Sequence, residues 1–229
     1  MRFDVILWDA DNTLLNFDYS QRFAISKSLE EIGVTPTEEM IKTYSDINEN
    51  WWKRLERGEV TKPQLLTGRF IDLFAAYELV CEDMPGFCKR YQEYLGSIYR
   101  YIDNSLEICK SLVGKCRQFV VTNGVTATQL GKLQAAGFHK VMEDIFISEQ
   151  LGVPKPQKAF FDRVLEKMQE VPLDRILIVG DSLTSDMRGG NLAGIATCWY
   201  NPGDLPNTTE VKTDFIIRNL KEVPGIVEG

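Results

Sequence analysis

No C-x-x-C pair occurs among the five cysteines, Cys81, Cys88, Cys109, Cys116 and Cys198. An odd number of widely spaced thiols argues against a disulfide framework or a zinc knuckle, and buried thiols in a reducing compartment are expected. No apolar stretch reaches membrane-spanning length, and the opening Met1-Arg2-Phe3-Asp4, with an acid again at residue 9, leaves no room for a secretory apolar core. A cytoplasmic protein is therefore expected. Positive charge is scarce: 26 Lys and Arg face 33 Asp and Glu, for a formal net charge of −7. That balance disfavours the clustered bases that hold nucleic-acid backbones. A small phosphorylated ligand stays open, because a metal ion can supply the missing positive charge. Low-complexity and disordered tracts are also absent. What remains is an ordinary globular composition, 44% hydrophobic and 26% charged, over 229 residues, long enough for one domain or two unequal ones.

Five short runs have the β-branched, continuously apolar look of strands buried on both faces: FDVILW at 3–8, RQFVVT at 117–122, DIFIS at 144–148, RILIVG at 175–180 and IATCWY at 195–200. A weaker sixth, DFIIR, spans 214–218. Beyond residue 100 such runs alternate with helical patterns at Thr126 to Ala136, Gln157 to Gln169 and Thr184 to Ala193. This alternation predicts an α/β fold with a parallel sheet and crossover helices. From about residue 20 to 100 the apolar spacing is helical throughout, punctuated by Gly33, Gly58 and Pro85. The organisation predicted is an α/β core, residues 1–15 and 101–229, with an all-helical module, 16–100, inserted after the first strand.

Ligands of open parallel sheets bind beyond the carboxyl ends of the strands, so the residues following each run belong together. The first strand ends in Asp9-Ala10-Asp11-Asn12-Thr13, the second in Thr122-Asn123-Gly124, the fourth in Gly180-Asp181 with Asp186 soon after. Lys155 sits between two prolines ahead of a helix. Singly, each has a bland reading as turn residue, helix cap or solvated charge. Together, the acids after strands one and four form a cluster that is stable only around a cation, and all-oxygen ligation points to Mg²⁺. A phosphoryl group on that metal needs further donors, which Lys155, Thr122 and Asn123 supply. Asp9 is then the nucleophile that forms an aspartyl phosphate, and Asp11 the acid that protonates the leaving oxygen and later deprotonates water.

The D-x-D-x-T after strand one, the Thr after strand two, the Lys before a helix and the G-D-x-x-x-x-D after strand four resemble the haloacid dehalogenase superfamily of phosphohydrolases. The resemblance covers essentially the whole chain and implies a Rossmann-like core with a helical cap. It implies Asp9 as nucleophile, Asp11 as acid/base, and Thr122 and Lys155 as phosphoryl ligands. For Mg²⁺ it implies the Asp9 carboxylate, the Asp11 backbone carbonyl and Asp181, with Asp186 binding through water or orienting the site. The superfamily's dehalogenases lack an acid at the Asp11 position, so dehalogenation is disfavoured.

Within the superfamily, WDADNTLLNFD, GEVTKPQLLTGRF, TNGVTATQLGKL, ISEQLGVPKPQKAFFD and GGNLAGIATCWYN look like the bacterial pyrimidine 5′-nucleotidase branch. That likeness implies a nucleoside monophosphate as substrate, with no nucleic-acid polymer and no membrane as partner. In the helical module Asn48, Trp51, Trp52 and Arg69 are candidates for closing over the leaving group, an indole being able to stack on a base. The alternative for the tryptophans is packing in a helical core. His139 is expected to be structural or solvent-facing. Other readings are hydrolysis of phosphoglycolate or sugar phosphates, or a phosphomutase. More remote is a noncatalytic phospho-acceptor module, which is shorter and carries its aspartate after the third strand.

Overall fold

The computed structural model describes residues 1–229. Six parallel strands, β1 Val5–Trp8, β2 Arg117–Thr122, β3 Asp144–Ile147, β4 Ile176–Gly180, β5 Ala196–Tyr200 and β6 Phe215–Ile217, form one sheet in the order β3-β2-β1-β4-β5-β6. The chain separates into two compact units, one of Met1–Asn16 with Arg100–Gly229, the other of Phe17–Tyr99.

In the α/β unit, β1 and β4 are buried along their whole length, as expected of strands covered on both faces. Helices α5 Ser105–Leu112, α6 Thr126–Ala135, α7 Ser148–Leu151, α8 Lys158–Leu165, α9 Arg188–Ala193 and α10 Val223–Glu228 complete the unit. One side of the core gathers Val5, Leu7, Val121, Phe160, Phe161, Ile178 and Met187. Glycine lets α9 approach the sheet: a Cβ on Gly190 would lie 2.7 Å from Thr197 and 2.8 Å from Ile178. Because β1 lies between β2 and β4, the connections leave it in opposite directions, which opens a crevice at its carboxyl end.

The helical unit holds α1 Phe17–Glu31, α2 Glu38–Glu56, α3 Lys62–Ala76 and α4 Met84–Ser97. Its starts are written in the sequence. Thr37 caps α2, Thr61 and Gln64 form a reciprocal capping box on α3, whose first turn accommodates Pro63, and Asp83 caps α4. The helices close on an aromatic core in which Tyr44 stacks on Phe70 at 5.5 Å and Tyr91 meets both rings edge-on. No helix of the protein is long and apolar enough to cross a membrane.

Candidate active site

Asp9 follows the last residue of β1 and anchors its backbone to β4, donating from its N–H to the Val179 carbonyl at 2.9 Å. Its side chain is almost wholly buried. Lys155, also buried, spends its three ammonium protons on Asp9 Oδ1 at 2.7 Å, Asp186 Oδ1 at 2.6 Å and the Val121 carbonyl at 2.8 Å. The lysine is held from behind by Asn123, whose side-chain oxygen accepts from the Lys155 N–H at 2.9 Å and whose amide donates to the Lys155 carbonyl at 3.0 Å. The Asn123 side chain thus serves the backbone of Lys155. Thr122 ends β2 buried, its hydroxyl accepting from the Gly124 N–H at 3.1 Å.

After β4 an α-helix is expected from Thr184; instead Leu183–Met187 forms a π-helical turn that leads into α9. Ser182 caps the turn by accepting from the Ser185 N–H, and the turn brings Asp186 back so that its Oδ2 accepts from the Ser182 N–H at 3.2 Å. The Asp186 carboxylate occupies the space a side chain at Gly180 would need, 2.3 Å from an added Cβ. Gly180 is therefore required by the site. Asp181, half-buried, is fixed through its carbonyl, which accepts from the Trp199 indole N–H at 2.8 Å.

Carboxylate oxygens of Asp9, Asp181 and Asp186 all lie within 4.8 Å of one another. Burial pushes the Asp9 carboxyl up to about 7; Lys155 pulls it back, while Asp186 and Asp11 push it further. Burial, then Asp9 and Asp186, raise Asp181 well above the usual carboxylate range. For Lys155, burial lowers the ammonium's pKa, but Asp186 and Asp9 together outweigh it and the net direction is upward. Three carboxylates against one ammonium leave two negative charges, and the donors are all hard oxygens. That set fits one divalent cation of the Mg²⁺ type.

The Asp11 carboxylate stands outside this triad. Its Oδ1 accepts from Lys132 Nζ at 2.7 Å and its Oδ2 from Gln129 Nε2, both on α6. Of the expected metal ligands, then, the structure groups Asp9, Asp181 and Asp186 by their carboxylates, and the Asp11 side chain turns to its own lysine. The loop is shaped for this: Asn12 adopts a left-handed φ of 59°, and Leu14 and Leu15 both donate to the Ala10 carbonyl. Lys132 and Gln129 escaped the sequence reading. Their signal is a Gln-x-x-Lys spacing that puts both on one face of α6.

In the helical unit, Asn48 and Arg69 are buried and joined: Arg69 Nη1 donates to Asn48 Oδ1 at 2.8 Å and Asn48 Nδ2 to Gln21 Oε1 at 2.6 Å. The Arg69 guanidinium lies over the Phe70 and Tyr91 rings, at 4.7 and 4.8 Å. Trp51 donates its indole N–H to Asp72 at 2.7 Å and covers Gly68; Trp52 is half-buried. His139 lies exposed in a short turn after α6, solvent-facing as expected.

Known proteins show the family. The haloacid dehalogenase-like hydrolase family matches residues 3–194. The chain is 33% identical over 226 residues to the HAD-hydrolase YfnB of Bacillus subtilis, spanning 99% of this chain and 96% of that protein. It is 33% identical over 224 residues to the pyrimidine 5′-nucleotidase PynA of Streptococcus pneumoniae, spanning 97% and 94% of the two. It is 30% identical over 228 residues to the pyrimidine 5′-nucleotidase YjjG of Escherichia coli, spanning 99% of both. A crystal structure of YfnB bound to magnesium superposes over 100% of both chains with a TM-score of 0.94 at 33% identity. From the motifs, the strand-end geometry and these full-length relatives together, the chain belongs to the haloacid dehalogenase-like hydrolase family and is a phosphohydrolase.

Proposed function

We propose that the protein hydrolyses nucleoside monophosphates, with Mg²⁺, through an aspartyl phosphate on Asp9. The observation that carries the reading is the position of Lys155, whose ammonium bridges Asp9 and Asp186 while Asp181 completes an acidic triad around them. Support for the substrate class comes from PynA and YjjG, both named pyrimidine 5′-nucleotidases, and for the ion from the magnesium-bound crystal structure of YfnB.

Asp9, Asp181 and Asp186 would hold the ion, which when bound neutralises phosphoryl charge and orients the group. Asp9 Oδ attacks phosphorus; the ester P–O bond breaks with its electron pair going to the leaving oxygen, which takes a proton from Asp11. A water then attacks phosphorus, gives its proton to Asp11, and the bond to Asp9 breaks, restoring the carboxylate and releasing phosphate. Lys155 and Thr122 meet phosphoryl oxygens, joined by the main-chain N–H groups of the Thr122-Asn123 turn. Residues 1–15 and 101–229 are the catalytic core in this reading, and residues 16–100 act as a cap that selects substrate. Trp52 is its candidate for stacking on the base, while Asn48 and Arg69, both buried, act by holding α2 and α3 together. A cytoplasmic location fits five free thiols.

Phosphate release measured across nucleoside monophosphates, sugar phosphates and phosphoglycolate tests the proposal. Fastest turnover on a nucleoside monophosphate, abolished by excess chelator and restored by Mg²⁺, is expected. Preference for phosphoglycolate or a sugar phosphate would overturn the substrate class, and undiminished turnover in chelator would overturn the ion.

A further inference from the structure

Both oxygens of the Asp11 carboxylate are held from one helix. Lys132, whose side chain is fully buried, meets Oδ1 at 2.7 Å, and Gln129, one turn earlier on α6, donates to Oδ2. Asp11 itself keeps a quarter of its side chain exposed, so the pair leaves it open on one side. The arrangement exceeds what would tie α6 to the sheet. That helix is already packed through Leu133, fully buried, and its first turn donates from the Thr126 N–H to the Glu149 carboxylate at 2.8 Å. Burying a lysine head is costly unless it is paired, and here the ammonium pairs with a carboxylate of the loop that follows β1. The chain also makes room for the second donor. A Cβ on Gly124 would lie 2.2 Å from the Gln129 amide nitrogen, so glycine at 124 lets Gln129 reach Asp11. The backbone beneath Asp11 is pinned independently by its bridge to Leu15.

We propose that Lys132 and Gln129 are positioning residues for the reaction: they fix the plane of the Asp11 carboxylate and keep it apart from Asp9, so that proton transfer starts from one defined place. This rests on Asp11 being the acid/base. A carboxylate has about four lone-pair sites, and the two donors take two, leaving others for a leaving oxygen or a water. Lys132 gives up no proton and touches no substrate. In this role it acts through Asp11.

The consequence falls on leaving groups. An alkoxide such as a nucleoside 5′-oxygen must be protonated as the P–O bond breaks, whereas a nitrophenolate leaves without help. The test compares kcat and KM of Lys132→Met and Asp11→Asn, singly and together, on a nucleoside monophosphate and on p-nitrophenyl phosphate. Lys132→Met is expected to lower kcat at least about tenfold on the nucleotide, part of the about 100- to 10,000-fold that a positioned acid contributes. KM should stay within about twofold, the nitrophenyl ester should lose much less, and adding Lys132→Met to Asp11→Asn should cost nothing more. Lys132→Arg should restore part of the rate. If Lys132→Met fails to fold, Gln129→Met, which removes the other donor, should show the same leaving-group pattern. Multiplicative losses in the double variant, or equal losses on both esters, would overturn the positioning role while leaving Asp11 as acid/base. An Asp11→Asn enzyme with no leaving-group dependence would overturn the acid/base reading and this inference with it.

Discussion

In the α/β unit, buried positive charge is always answered by carboxylates: Lys155 by Asp9 and Asp186, Lys132 by Asp11. In the helical unit the buried Arg69 is answered by an amide oxygen and two ring faces, with Nε and Nη2 left without partners. The difference separates chemistry from scaffold. Opposed charges at the strand ends are individually costly and come together only because the sheet crevice concentrates them; in the proposed reaction they bind, attack and move a proton. The Arg69–Asn48–Gln21 chain links α3, α2 and α1, and what it supplies is a fixed arrangement of helices.

The comparison is broken most severely at Asp9. Asp9→Asn removes the attacking oxygen's charge but leaves Lys155 two acceptors, Asp186 and Val121, so the fold should persist while kcat falls at least about a thousandfold. Steady-state turnover beside a thermal melt checks both halves. Smaller is the loss at Lys132, which should follow the leaving group. Smallest in catalysis should be Asn48→Ala in the helical unit. Leaving Arg69 Nη1 and Gln21 Oε1 unpaired should cost about 1–3 kcal/mol of stability. At about 2–4 °C per kcal/mol, Tm should fall by several degrees. Turnover of a small phosphate ester should barely change. Lost activity with an unchanged Tm would instead place Asn48 in contact with substrate.

How much of this was legible follows from how local each determinant is. Strands buried on both faces announce themselves as apolar runs, and β2 and β4 match their predicted runs to within a residue. Helix α5 passed unnoticed, being only eight residues long beside a stronger strand signal. The π-helical turn was hidden because it depends on the Asp186 carboxylate filling the space above Gly180. Asp9, Lys155, Asp181 and Asp186 were readable together because acids and a lysine at successive strand ends have one economical explanation. The burial of Lys132 was not, since a lysine on an amphipathic helix ordinarily reads as solvated and its partner lies 121 positions away. Asn48 and Arg69 likewise read as polar candidates for ligand contact. Only the packing of three helices shows them facing one another.

The claim that Asp9 carries the phosphoryl group is tested most directly by trapping it. A single turnover of the Mg²⁺-loaded enzyme with radiolabelled nucleotide, quenched early and reduced with borohydride, converts any acyl phosphate to an alcohol that peptide mapping locates. Reduction at Asp9 alone is predicted. Reduction at Asp11, Asp181 or Asp186, or a catalytically competent turnover with no trapped carboxylate, would contradict it.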